Sequence, residues 1–285
     1  LTFPRALLPH AVIIAQRDEE NPAQNAFRLQ PLATPAPIAD DTRGGALVLQ
    51  PQTPQRLPVR LELGTGLMAA HEWSRPGLQL AQLISAQRVP TGRLAVWRVG
   101  NHAVALKTPR YLVLLMPEFA EDSLLIPEDL PAADLVLCPA TPPASVLQRL
   151  MQRTSARFIG PPAIRRILQE QGVDENRSVA VSPGARVDLP GLGVLATPAR
   201  IATPEERLGY LLQIDHLAIY HAGVTQFLGE FGPLGQQFHP QLVFLPLCSE
   251  MSLTDALLAA KLLQPRLVIP LGTEDDERDY IKRCR

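Results

Sequence analysis

The order of short apolar runs limits what this chain can fold into more than any other feature. From residue 93, "RLAVWRVG", "HAVALKT" and "RYLVLLMPE" read as successive strands with brief polar separators. Strand–helix alternation follows. "ADLVLCP" is a buried strand, "VLQRLMQRT" a helix, "RFIG" a strand, and "PPAIRRILQEQG" a helix with proline at its start and Gly172 at its end. "RSVAVSPGARVDLPGLGVLATP" reads as two or three short strands around turns, and "LGYLLQID" with "HLAIYHAG" as a hairpin joined at "DH". The buried strand "PQLVFLPL", the helix "SLTDALLAAKLLQP" with Ser252 or Thr254 as its cap, and the strand "RLVIPL" complete the series. Strand pairs followed by strand–helix alternation imply two sheets with helices outside them.

Upstream the pattern is weaker. Residues 1–60 are rich in Pro, Gln and Ala, with "HAVIIAQ" and "GALVLQ" as strand-like runs. They read as a partly strand-like N-terminal extension, and residues 61–285 as the main domain. Residues 66–87 read as helical, broken near Pro76 and Gly77.

Composition narrows the function classes. With 46% hydrophobic and 19% charged residues the chain has the makings of a globular core. A net charge of −1 gives no basic field for nucleic acid. No apolar run reaches the roughly 18 to 20 residues of a membrane span. Cys138, Cys248 and Cys284 are widely spaced and form no C-x-x-C pair, which suits a reducing, cytoplasmic setting. "ALLPHAVIIA" lacks a cleavage pattern and is not read as a signal peptide.

Several segments then resemble one family in order and spacing. They are "QRVPTGRLAVWRVGNHAVALKT" (87–108), "DLVL" (134–137), "FIGPPAIRRILQEQGV" (158–173), "VSPGARVDLPGLGVLATPA" (181–199), "GYLL" (209–212), "IYHAG" (219–223), "LVFLPL" (242–247) and "LLQPRLVIP" (262–270). Together they cover about two thirds of the chain. They resemble the metallo-β-lactamase superfamily, in the branch of L-ascorbate-6-phosphate lactonase and related metal-dependent hydrolases. The resemblance implies an α/β fold, a four-layer αββα sandwich, here carrying the N-terminal extension.

The same resemblance implies where metal ligands would stand. Active relatives carry His-x-His-x-Asp-His after the strand matching "DLVL", a spacing that lets one loop converge on one or two divalent ions. On this chain those places hold Ala140, Pro142, Ala144 and Ser145. The Asp of a family Ile-Asp-Pro is Met116, and the His after "TPA" is Arg200 or Ile201. The bridging Asp is Val224, and the last His falls at Gly272. His221 is the best surviving family residue, read here as a structural imidazole near a strand end. Val224, Ala140 and Ala144 are expected to form an apolar plug where buried carboxylates would otherwise need compensation.

Other chemistry-bearing residues have plainer readings. His102 is assigned to turn packing, His216 to an exposed hairpin turn and His239 to a loop, while His10 and His71 lie outside the matched segments. Glu274, Asp275 and Asp276 could hold a hard cation, but suit the acidic first turn of a helix. Cys248 with Glu250 shows no base beside the thiol, and Ser145, Thr141 and Ser249 lack a triad order. Arg149, Arg153, Arg157, Arg165 and Arg166 read as a solvated basic face.

The expectation is therefore a catalytically degenerate protein with no cofactor, serving as a binding, scaffolding or regulatory module. Its partner would be another protein, a second copy, or a small molecule in the residual cleft lined by Ala140, Ser145, His221, Val224 and Gly272. The alternative is a lactonase- or phosphodiesterase-type hydrolase with a site rebuilt from His102, His221 and the carboxylates at 274–276.

Overall fold

A computed structural model describes residues 11–17, 27–28, 48–49, 59–65, 81–82, 84–99, 102–115, 130–202, 206–214 and 217–284. Sixteen strands are assigned in these segments. The first half supplies β1 (Ala11–Arg17), β2 (Phe27–Arg28), β3 (Val48–Leu49), β4 (Val59–Thr65), β5 (Arg93–Arg98), β6 (Val104–Lys107), β7 (Leu112–Leu115) and β8 (Leu135–Leu137). Helix α1 (Ala144–Arg153), β9 (Arg157–Gly160), α2 (Pro162–Glu170) and β10 (Ser178–Ala180) follow.

The second half begins with β11 (Arg186–Leu189), β12 (Leu192–Ala199), β13 (Arg207–Ile214) and β14 (Leu217–His221). It continues with α3 (Phe231–Phe238), β15 (Leu242–Pro246), α4 (Leu253–Leu263), β16 (Leu267–Leu271) and α5 (Glu274–Arg283). The strands form an eight-stranded sheet, β10-β9-β8-β7-β6-β5-β1-β4, and a six-stranded sheet, β11-β12-β13-β14-β15-β16. Strands β2 and β3 pair with each other.

Alternation along the strands builds the layers. Leu94 and Val96 of β5 face the core between the sheets, with Leu135 and Leu137 of β8. Their neighbours Ala95, Trp97 and Val136 face outward, onto Leu147 and Leu150 of α1 and Ile164 and Leu168 of α2. In the second sheet Tyr210 and Leu212 turn inward, whereas Leu211, Tyr220 and Val243 pack under α3, α4 and α5. Strands covered on both faces read as nearly continuous apolar runs. The result is the expected αββα sandwich.

Three points concern elements. Residue 60, where the sequence reading ends the N-terminal extension, lies in β4. Strand β1 is not outside the core sheet: it pairs with β4 on one side and with β5 on the other. Helix α3, in "FGPLGQQF", was not expected at all. Of the stretch expected to be helical at 66–87, residues 81–82 and 84–86 are helical and the remainder before residue 81 lies outside the described residues.

Pairing also fixes which loops meet. Strands β7, β8, β9 and β10 are mutually parallel, and so are β14, β15 and β16. The loops leaving β8, β14, β15 and β16 therefore gather at one end of the sandwich. That is where α/β folds place ligand sites.

Candidate functional site

The loop that leaves β8 is held by backbone. The Pro139 carbonyl accepts from Leu208 N–H across the two sheets at 2.7 Å. Beneath it, Tyr210 is fully buried and its hydroxyl donates to the Cys138 carbonyl at 2.9 Å and the Ile159 carbonyl at 3.2 Å. Burial, with Cys138 alongside, pushes that phenol well above its ordinary range. The Cys138 thiol is also buried and is pushed up to about 12, so it is inert.

Gly223 explains how closely the β14 loop approaches this one. Its φ of +71° lies in the left-handed region, and a Cβ built there would stand 2.4 Å from the Leu208 carbonyl oxygen. Only glycine suits both demands. Two residues earlier, His221 is 1% exposed. Gly223 N–H donates to its Nδ1 at 3.1 Å, which leaves Nε2 as the protonated nitrogen, donating to the His102 carbonyl at 3.1 Å. Burial pushes the imidazole pKa down to about 4, with the His102 carbonyl bond opposing. His221 is thus a neutral strut between the β14 end and the turn after β5, with neither nitrogen turned to a ligand.

A charged strut lies beside it. Arg98, at the end of β5, is paired with Glu277 of α5, and the two are 4% and 0% exposed. Arg98 Nη2 also donates to the Gly272 carbonyl at 2.9 Å, while Gly272 N–H donates to Glu277 Oε1 at 3.2 Å. One buried ion pair therefore ties the first sheet to the last strand and last helix of the second. Sequence reasoning missed it because the partners are 179 residues apart. The only signal was an arginine in the apolar run "RLAVWRVG".

The residues named from the resemblance are brought to this end but not into one cleft. Ala140 and Pro142 are half-buried and Ala144 and Ser145 exposed, the last two on the first turn of α1. Val224 and Ile201 are half-buried. The helix that starts at Ala144 leaves Ala144 and Ser145 exposed, whereas Ala140 and Val224, expected in an apolar plug, are half-buried. Arg200 is exposed and its side chain bonds Glu230 at 2.5 Å. Met116, His216, His10 and His71 lie outside the described residues. His239 caps α3 in a left-handed conformation, with φ of 45°.

A cavity of about 500 Å³ opens next to these loops. It is lined by His102, Leu247, Cys248, Ser249, Met251, Ser252, Leu253, Gly272, Thr273, Asp276 and Asp279. Of the residues expected to line a residual cleft, Gly272 alone does so among the described residues, while His102, assigned to turn packing, faces the cavity. Helix α5 begins at Glu274, and Asp275 lies 3.2 Å from Arg278.

Solved structures decide the fold. The chain aligns with YhfI, a metallo-β-lactamase fold protein from Bacillus subtilis, at a TM-score of 0.50 and 13% identity, covering 67% of this chain and 92% of that one. It aligns with Igni18, a metallo hydrolase from Ignicoccus hospitalis, at a TM-score of 0.54 and 22% identity, covering 66% and 88%. The chain has the metallo-β-lactamase fold. In sequence it is 32% identical over 128 residues to a UPF0173 metal-dependent hydrolase of the same archaeon, covering 43% of this chain and 55% of that protein. The chain thus spans about half the length of the curated relatives it matches. No protein-family model matches it.

Relatives named for a metal prompt the question of whether this chain's residues fit one. Alanine, proline, valine and glycine offer no side-chain donor, and His221 has both nitrogens engaged. No group of three or more His, Cys, Asp or Glu among the described residues could hold a metal ion. Among the described residues, the donors at this end do not make up the three or more protein ligands that a catalytic metal takes. No helix among the described residues is long and apolar enough to cross a membrane.

Proposed function

We propose that this chain is a catalytically degenerate, metal-free protein of the metallo-β-lactamase fold, derived from the lactonase-like branch and kept as a binding, scaffolding or regulatory module. The observation that carries the reading is the state of His221. A ligating imidazole must present a nitrogen lone pair to the ion. Here the Nδ1 lone pair is taken by Gly223 N–H and the Nε2 proton is given to a carbonyl. The Arg98–Glu277 pair supports the same reading, because it ties the two halves at this end without an ion.

Elemental mass spectrometry of the full chain, after dialysis against Zn²⁺ and Mn²⁺ and then against metal-free buffer, tests the proposal. Less than about a tenth of an equivalent is expected, since sites that hold catalytic metals do so through several ligands. One or two retained equivalents would overturn it. They would favour the hydrolase reading, whose support is that His102 and Asp276 face one cavity.

A further inference from the structure

The cavity beside the strand ends has a chemistry of its own. Its volume, about 500 Å³, is that of a small-molecule site. Leu247 and Met251, both buried, with Leu253, give it an apolar floor. The rim carries the hydroxyls of Ser249, Ser252 and Thr273 and the carboxylates of Asp276 and Asp279.

Two helix starts open onto it, α4 at Leu253 and α5 at Glu274. Helix N-termini ordinarily favour anions. Here that charge is already answered within each helix. The Ser252 hydroxyl accepts from Asp255 N–H and donates to the Asp255 carboxylate at 2.7 Å. Thr273 repeats the arrangement with Asp276 at 2.5 Å. Among the described residues no lysine or arginine lines the cavity; Asp279 is paired with Lys282 at 2.9 Å, so Asp276 is the carboxylate that a phosphate or carboxylate entering the cavity would meet with no lysine or arginine bonded to it.

We infer that this cavity binds a small organic cation with an apolar body, such as a primary amine, its charge on Asp276 and its body against Leu247, Met251 and Leu253. The inference rests on the metal-free reading, because a metal held among His102 and Asp276 would reverse the field there.

Cys248 supplies the readout, as its half-buried thiol lines the cavity. In a Cys284→Ser background the buried Cys138 stays unreactive, so neutral iodoacetamide reports on Cys248. The probes are 2-phenylethylamine, its isosteric anion phenylacetate, and inorganic phosphate. Slowed alkylation with the amine alone, weakened about tenfold or more by Asp276→Asn, is expected. Equal protection by phenylacetate or phosphate would overturn the inference. So would no protection by the amine up to about 10 mM, or protection indifferent to Asp276→Asn.

Metal content measured on the same preparation separates the two proposals. Absent protection in a metal-free protein removes the ligand class alone. Amine-specific protection in a protein holding an equivalent of metal would place that metal outside this cavity, upholding the ligand class and removing the metal-free reading.

Discussion

His221 shows at the residue scale how burial turns a titratable group into a stability term. Its pKa is about 4 in the fold against an ordinary 6.5. Between those values the unfolded chain binds more protons, so stability rises with pH and levels off above about 6.5. From neutral pH to pH 5 the group should cost about 2 kcal/mol of stability. Urea midpoints at pH 7.5 and pH 5 check this, with His221→Gln as the comparison. The variant is expected to be less stable at pH 7.5 and to lose less on acidification; an unchanged acid dependence would show that other groups set it. The place of His221 at a strand end was readable in "IYHAG". Its tautomer was not, because the His102 carbonyl and Gly223 N–H that fix it are set by folding. Arg98 was legible only as an oddity for the same reason, its meaning residing in Glu277.

At the scale of elements, helix α3 marks where local signals fail. "FGPLGQQF" holds two glycines and a proline, a poor helix by propensity. Packing explains the choice. A Cβ at Gly235 would lie 2.4 Å from the Leu262 carbonyl oxygen and 2.8 Å from Leu263 Cα, so glycine lets α3 touch the end of α4. Nothing lies within 4 Å of a Cβ at Gly232. The two positions should therefore respond oppositely to alanine. Gly232→Ala is expected to stabilise by up to about 1 kcal/mol through helix propensity. Gly235→Ala gains the same term but must push backbone apart, for a net loss of about 1 to 2 kcal/mol. Thermal melts of both variants decide it, and a stabilised Gly235→Ala would show that the α3–α4 contact gives way without cost. The amphipathic helices α1 and α2, in contrast, announced themselves through apolar spacing, and α2 also through proline at its start.

For the whole molecule, the layers were legible because each core strand is apolar on both faces while helices show one apolar stripe. The edge of the first sheet was not, since a strand's register depends on a partner distant in sequence. Strand β1 runs along β5 from Val12 opposite Trp97 to Gln16 opposite Arg93, and covers backbone groups that would otherwise form a sheet edge. A row of uncovered N–H and C=O groups is a template for pairing with another chain. Deleting residues 1–65 removes both β1 and β4, leaving β5 as the edge. The shortened chain is expected to lower the urea midpoint and to self-associate with rising concentration in analytical ultracentrifugation, whereas the full chain should not change species over that range. A shortened chain with an unchanged midpoint and no self-association would make β1 dispensable to the sheet. Its strand would then be better placed as the part of the molecule offered to a partner.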